Sequence, residues 1–469
     1  MGPFEKNALR RFVFPLLVLA AGVSGWGGGQ VAYAQLTPQQ LLSTSVAKYE
    51  AKYADIGKAI GVFYQGDLVA SRELLTSVRQ KYPEIAPPDV LLAMLHMSAN
   101  QRSEAEAALE QATINAPLDA EAFVLVGDIA LREQRLLLAD LAYDRAQRIL
   151  EGQSVDSFRL RILRTRTEAG LASLSEVRKQ YATALKHIEA WQKLDDKNPL
   201  LWGSLGRVRF HLGDYVAART AFAELLKQEP NAPPVDVSMG RLYSEMGNAG
   251  EAQKCMEAAL KTDGKDIRTQ LTVAEWGLTN GVMGMAKTST EAALKLDPSS
   301  VGGQVLLGRL ARYEGDAPRA RELLTASILK SPNEVAISNE LARALAVSEE
   351  ESQRKAGLDY ATRNYRLKID QNSASGREAI MTYAWLLLQN GKPEDAEKML
   401  FTLPNASSVS SENAYIAALI YKARGRDQLA IQALRAALSS GMPFPGRTEA
   451  DREIKNWEKG GPEPAKTSR

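Results

Sequence analysis

Small, apolar and turn-forming residues return at fixed places in four successive stretches, 199–232, 233–266, 267–300 and 301–334, each 34 residues long. The eighth place holds Gly206, Gly240, Ala274 and Gly308. The fifteenth holds Gly213, Gly247, Gly281 and Gly315, and the twentieth holds Ala218, Ala252, Ala286 and Ala320. The thirty-second closes each stretch with Pro230, Gly264, Pro298 and Pro332. The pattern predicts two helices per stretch, hinged at a Gly-Asp or Gly-Asn pair such as Gly213-Asp214 or Gly247-Asn248. Glycine suits the residue that follows a helix, where φ is often positive, and the Asp or Asn beside it caps the next helix. The small side chains at the eighth and twentieth places are expected to face each other where the helices cross. Proline stops the second helix, and no stretch buries its apolar face alone.

A 34-residue period with these offsets, and Trp202-x-x-Leu205-Gly206 with Ala218, Phe222 and Pro230, strongly resembles the tetratricopeptide repeat family. The resemblance implies an all-α, superhelical solenoid of about ten helix-turn-helix repeats that acts by binding rather than by catalysis. The period extends both ways. Gly66, Ser71 and Pro83 fit a repeat at 52–85, Ala93, Ala105 and Pro117 one at 86–119, and Gly127, Ala139 and Ala146 one at 120–153. Thr37-Pro38 is a good helix start, so 35–51 is expected to extend the first helix or cap the array. Residues 35–153 thus form N-terminal repeats, and 154–198 is a divergent, basic repeat with an insertion, expected to lengthen a pair of helices. The regular repeats fill 199–334, a repeat with an insertion fills 335–376, and C-terminal repeats fill 377–441. Within 442–469 a capping helix is expected over Arg447 to Trp457, with Ala450, Ile454 and Trp457 on one face, followed by a disordered tail.

Residues 1–34 read as a signal peptide. Lys6, Arg10 and Arg11 precede the apolar run Phe12–Val23, and Ala32-Tyr33-Ala34 supplies a small-x-small cleavage pattern before Gln35. The run is broken by Pro15 and is shorter than the roughly 20 residues a bilayer requires. A cleaved signal, and hence a periplasmic or secreted protein with no stable membrane span, is preferred over a retained anchor. Charge then narrows the partners. Fifty-eight basic against 56 acidic residues leave a net charge of +2, so no global field favours nucleic acid. The single Cys255 allows no internal disulfide and reads as a small buried hydrophobe.

Little in the sequence points to chemistry. His96, His187 and His211 share no metal-ligand spacing, and neither a phosphate-binding glycine motif nor a GxSxG elbow occurs. No catalytic residue, metal or cofactor is assigned. The resemblance places the ninth residue of each first helix on the concave groove, and that column reads Arg207, Arg241, Glu275, Arg309 and Arg343. Arg312 and Tyr313 lie one turn beyond Arg309. An arginine ladder suits carboxylates, because each planar fork donates two hydrogen bonds at once. Two readings stand: a wall for an acidic peptide or an anionic polysaccharide, or ion pairs between repeats with Glu275 as one partner. Corresponding places near the N-terminus hold Tyr53, Ile56, Ile60, Phe63, Tyr64, Met94 and Met97, and near the C-terminus Trp385, Tyr415 and Leu419. These are either apolar anchors for a bound segment or packing between repeats. The expected function is a non-enzymatic protein–protein interaction scaffold of the bacterial envelope. The alternative is an exopolysaccharide synthesis or export component whose basic groove faces an anionic glycan.

Overall fold

The computed structural model describes residues 36–153, 157–367, 373–403 and 410–460. The expected signal segment and the expected tail beyond 460 lie outside these residues. Every regular element described is helical. The chain opens with α1 (Pro38–Leu41), then pairs α2 (Ala54–Tyr64) with α3 (Leu68–Lys81), α4 (Pro88–Ser98) with α5 (Arg102–Asn115), and α6 (Ala120–Arg132) with α7 (Leu136–Glu151). Next come α8 (Phe158–Val177) with α9 (Tyr181–Leu194) and α10 (Pro199–His211) with α11 (Tyr215–Gln228), and then α12 (Val235–Glu245) and α13 (Ala249–Asp263) in succession. The series continues through α14 (Ile267–Thr279) with α15 (Met283–Leu296), α16 (Val301–Tyr313) with α17 (Ala317–Lys330), and α18 (Val335–Ala346) with α19 (Glu351–Arg366). Finally α20 (Ala374–Gln389) pairs with α21 (Pro393–Leu400), and α22 (Ser411–Ala423) with α23 (Asp427–Ser439), before the closing α24 (Arg447–Gly460).

The chain divides into two compact units between Leu242 and Tyr243. Within each, successive helices pack in sequence order, and the first helices of neighbouring pairs also touch. In unit 1, α8 meets both α6 and α10; in unit 2, α14, α16, α18, α20 and α22 follow one another in the same way. Each unit is therefore a layer of first helices backed by a layer of second helices.

The turn chemistry follows the sequence. Gly213 and Gly315 adopt φ of 82° and 84°, and Asp214 and Asp316 accept the backbone N–H of Ala217 and Arg319 at 3.0 and 3.1 Å. Asn100, Gln134 and Lys179 stand at the same fifteenth place with φ of 57°, 61° and 58°. The left-handed turn is thus imposed by the packed helix pair even where a side chain opposes it. The helix crossing differs from expectation. At Gly127, Gly206 and Gly308 the eighth place faces the twenty-fourth rather than the twentieth, and the twenty-fourth carries a large side chain there. A Cβ on Gly206 would lie 2.5 Å from the Phe222 ring, and one on Gly308 2.9 Å from Leu324. The small residue is the slot, and the large one is the key.

The inserted residues before 165 lengthen α8 to 20 residues. Ala450 and Ile454 of α24 are buried with Phe444 against α22 and α23. Residues 36–50 do more than extend the first helix. They form a strap over the first helices of three pairs: the Leu36 N–H donates to Tyr64 Oη on α2 at 3.3 Å, α1 packs on α2 and α4, and the Thr44 hydroxyl donates to Glu121 on α6.

Candidate functional site

The arginine column of unit 2 is a lattice of ion pairs. Arg309 reaches Glu275 at 2.5 Å and Glu340 at 3.2 Å. Arg312 meets Glu340 at 3.0 Å and also Glu412, which comes from α22, 100 residues further along the chain. Arg343 contacts Glu412 at 2.9 Å, pairs with Glu378, and donates to Thr382 and Asn413 at 2.9 and 2.8 Å. Arg312 and Arg343 keep only 7% and 5% of their surface exposed. Burial alone would push the Glu412 carboxyl up, but Arg312 and Arg343 more than offset it and hold it at about 2. Burial and Glu412 together push the Tyr313 phenol up to about 12, beside the Arg312 guanidinium 5.4 Å from its ring centre. Of the two readings of this column, inter-repeat pairing is the one whose contacts are present at Arg309, Arg312 and Arg343. In unit 1 Arg207 stays exposed but binds Glu176 at 2.9 Å, and Arg241 is exposed on α12.

The apolar residues proposed as anchors are also engaged by the chain itself. Phe63, Ile60 and Met94 are buried in the core that the strap closes with Leu41 and Leu42. Tyr64 is half-buried, and its hydroxyl lies 2.7 Å from Ser98 as well as receiving Leu36. The strap covers α4 so thoroughly that Asp89 to His96 are buried without a break, as in a helix that is packed on all sides. Trp385 is half-buried against the core formed by α19, α20 and α22. The histidines are packing residues: His96 sits 2.7 Å from Gln101, His187 2.8 Å from Glu168, and His211 stacks on Tyr181. Among the described residues no group of His, Cys, Asp and Glu could hold a metal, and no helix is long and apolar enough to cross a membrane.

Unit 1 contains a cleft of about 860 Å³ at the connections between helices. Its walls are the strap's end (Ser45–Tyr53), the α3–α4 connection with Arg79, Pro83 and Glu84, the α5–α6 connection with Pro117, Leu118 and Asp119, and the start of α8 with Phe158 and Arg159. The volume lies within the roughly 300–1,000 Å³ typical of ligand clefts. Arg159 is tied to Asp119 at 2.6 Å and Glu121 at 2.8 Å. Tyr53 donates to Glu84 at 2.7 Å. Arg79 Nη1 donates to the carbonyls of Pro83 and Ile85. Sequence columns miss this site because most of its residues stand on connections, where apart from the closing prolines Pro83 and Pro117 the repeat fixes no residue type. Of the residues the sequence singles out, Tyr53, Pro83 and Pro117 line the cleft, together with Arg159 from the basic 154–198 segment.

Two sequence profiles described as tetratricopeptide repeat match the chain, one over residues 62–129 and 209–274, the other over 172–233 and 305–351. A curated relative, the general transcriptional corepressor trfA of Dictyostelium discoideum, is 31% identical over 97 residues, 20% of this chain and 7% of that protein. The match thus spans a small part of that relative's length. Among solved structures, the chain is similar to Pseudomonas aeruginosa pilF, at 18% identity over 46% of this chain and 93% of that one, TM-score 0.31. It is also similar to a tetratricopeptide repeat protein of Parabacteroides merdae (17% identity, 63% and 98% covered, TM-score 0.32) and to yeast Tom70 (14%, 87% and 96%, 0.37). At these scores the superpositions carry no argument of their own.

Proposed function

This chain is a tetratricopeptide repeat protein, and from that premise we propose an exported scaffold of the bacterial envelope that holds a segment of a partner protein in the unit 1 cleft. Arrays of this family bind proteins or peptides and are generally non-enzymatic, so an interaction scaffold is the coarse function. The observation that carries the finer reading is a contrast in occupancy. The strap fills the first-helix face at the start of unit 1, and the ion-pair lattice fills the arginine column of unit 2. The cleft walled partly by the strap's end mixes apolar with charged side chains. Export rests on Lys6, Arg10, Arg11, the Phe12–Val23 run and Ala32-Tyr33-Ala34. A groove facing an anionic glycan loses much of its motive, since Arg309, Arg312 and Arg343 already pair with carboxylates of neighbouring repeats.

A photo-crosslinking residue at Leu118, which is 73% exposed on the cleft rim, tests the site in the source cells. A discrete adduct from Leu118, absent from the same probe at the exposed Glu257 of α13, is expected. Equal labelling from both positions would remove the cleft. Sequencing the N-terminus of the purified protein tests export: a start at Gln35 is expected, and a start at Met1 refutes cleavage.

A further inference from the structure

Aliphatic side chains stand in the open on the hairpin turns of unit 1. The eighteenth place of the repeat, the second residue of the second helix, is filled by Val69, Leu137 and Val216 in three unit 1 repeats, each 70–79% exposed. In unit 2 the same place holds Gly250, Gly284 and Pro318, so the fold itself does not ask for an apolar residue there. Leu141 on α7, Val177 at the end of α8 and Leu212 after α10 are exposed as well. Three of these turns lie side by side. Arg178, after α8, donates to Asp140 of α7 at 2.9 Å and to the Leu136 carbonyl at 3.1 Å, and Tyr181, which starts α9, stacks on His211 of α10 at 4.3 Å. The exposed residues from Leu137 to Val216 therefore share one edge of unit 1. That edge is basic. Segments 131–141, 177–183 and 209–216 carry five Arg or Lys against three Asp or Glu. Glu133, Asp140 and Asp214 are taken by Arg135, Arg178 and Arg209 at 2.7, 2.9 and 3.6 Å. The exposed Arg132 and Lys179 make no salt bridge among the described residues.

We propose that this edge docks unit 1 on an anionic lipid surface, its aliphatic side chains entering the headgroup boundary and Arg132 and Lys179 meeting the headgroups. The inference is independent of the cleft. Apolar groups on protruding turns lose water readily in a soft apolar layer, which needs no matching shape. Each basic residue held at such a surface adds attraction to anionic lipid. Tyr215, exposed on the same edge, supplies an apolar ring with a polar tip, as side chains at a water–lipid boundary do. A second copy of the chain is the other occupant that would cover an apolar edge. A twofold contact, however, sets a patch against itself, and here it would bring an excess of cations against the same excess, which like-charge repulsion disfavours. Anionic headgroups supply the opposite charge.

The test attaches the polarity-sensitive dye NBD to the full chain at Leu137→Cys and, separately, at Leu329→Cys, an exposed position on α17 of unit 2. Cys255 is buried and does not compete for the dye. The vesicles are phosphatidylcholine alone, or the same with about one-third phosphatidylglycerol. A blue shift of the emission is expected at Leu137 with the anionic vesicles, and none at Leu329. The dye reports its own surroundings, so an apolar run elsewhere in the chain does not produce the difference. In titrations of this signal, Arg132→Gln together with Lys179→Gln should weaken binding about tenfold. Gln134 already holds the turn place of Lys179 with φ of 61°, so Lys179→Gln is compatible with the backbone. No shift at Leu137, an equal shift at both positions, an equal shift with the two vesicle types, or a titration unchanged in the double variant overturns the proposal. A shift at Leu137 that grows with protein concentration and needs no vesicles overturns it too, and assigns the edge to a second copy.

Discussion

At the residue scale the fold is built from pairs in which a missing side chain receives a large one. The tightest case is in unit 1, where the Tyr143 ring lies between two glycines. A Cβ would meet it at 2.6 Å from Gly127 and at 2.3 Å from Gly170. The ring cannot retreat, since its hydroxyl donates to Asp128 at 2.7 Å, and Asp128 in turn holds the buried Arg166. Alanine normally gains up to about 1 kcal/mol over glycine inside a helix. At Gly61 of α2, where a Cβ would meet nothing within 4 Å, that gain should appear as a higher Tm. At Gly170 overpacking, about 1–3 kcal/mol, outweighs it. Gly61→Ala should therefore stabilise and Gly170→Ala destabilise in the same thermal melt; a rise in both would show that the slot yields. The sequence revealed which residues must be small, because a fixed period exposes them. It did not reveal what fills each slot, because Tyr143, Phe222 and Leu324 share a place but no residue type. The arginine column has the same limit. Its spacing is legible, but its carboxylates, Glu340, Glu378 and Glu412, arrive from other repeats at separations that no period sets.

At the scale of the element, the strap is the part of the fold that propensity could not place. Thr37 and Gln40 form a reciprocal cap that starts a helix of only four residues, too short to persist in water by itself. Its position comes from burial: Leu41 and Leu42 are fully enclosed, and Ser45 accepts the Ala86 N–H at 2.9 Å. An apolar face read from α2 and α4 looks the same whether a partner or the chain's own end covers it, which is why Phe63 and Tyr64 read as anchors. Leu42→Ala should cost about 2–5 kcal/mol, concentrated in unit 1. Hydrogen exchange is the decisive measurement. Amides of α4, buried on every side beneath the strap, should lose protection in the variant, while those of α18 keep theirs. Unchanged exchange in α4 would mean that the strap rests on a face already stable without it.

At the scale of the whole molecule, the ion-pair lattice of unit 2 should make its stability sensitive to acid. The start of unit 1 rests on an apolar core, whereas unit 2 adds a buried lattice centred on Glu412. That carboxyl is held at about 2 against an ordinary value of 4.5, and Glu340 is lowered in the same way. A depressed native value stabilises the fold fully above the unfolded value and loses its effect as protons are taken up. The contribution should thus be complete above pH 4.5 and fade as pH falls toward about 2. Glu412→Gln removes the charge that Arg312 and Arg343 share, and a buried pair broken on one side costs about 3–5 kcal/mol. Urea unfolding followed by circular dichroism across this range should show the wild type losing stability in acid. The variant should begin lower at neutral pH and change less with acid. If both proteins follow one curve, the lattice is no more than a set of solvent-screened contacts, and the convergence of α16, α18, α20 and α22 must be ascribed to apolar packing alone. If they diverge as argued, the column that first resembled a ligand wall is the clasp that gives unit 2 its form.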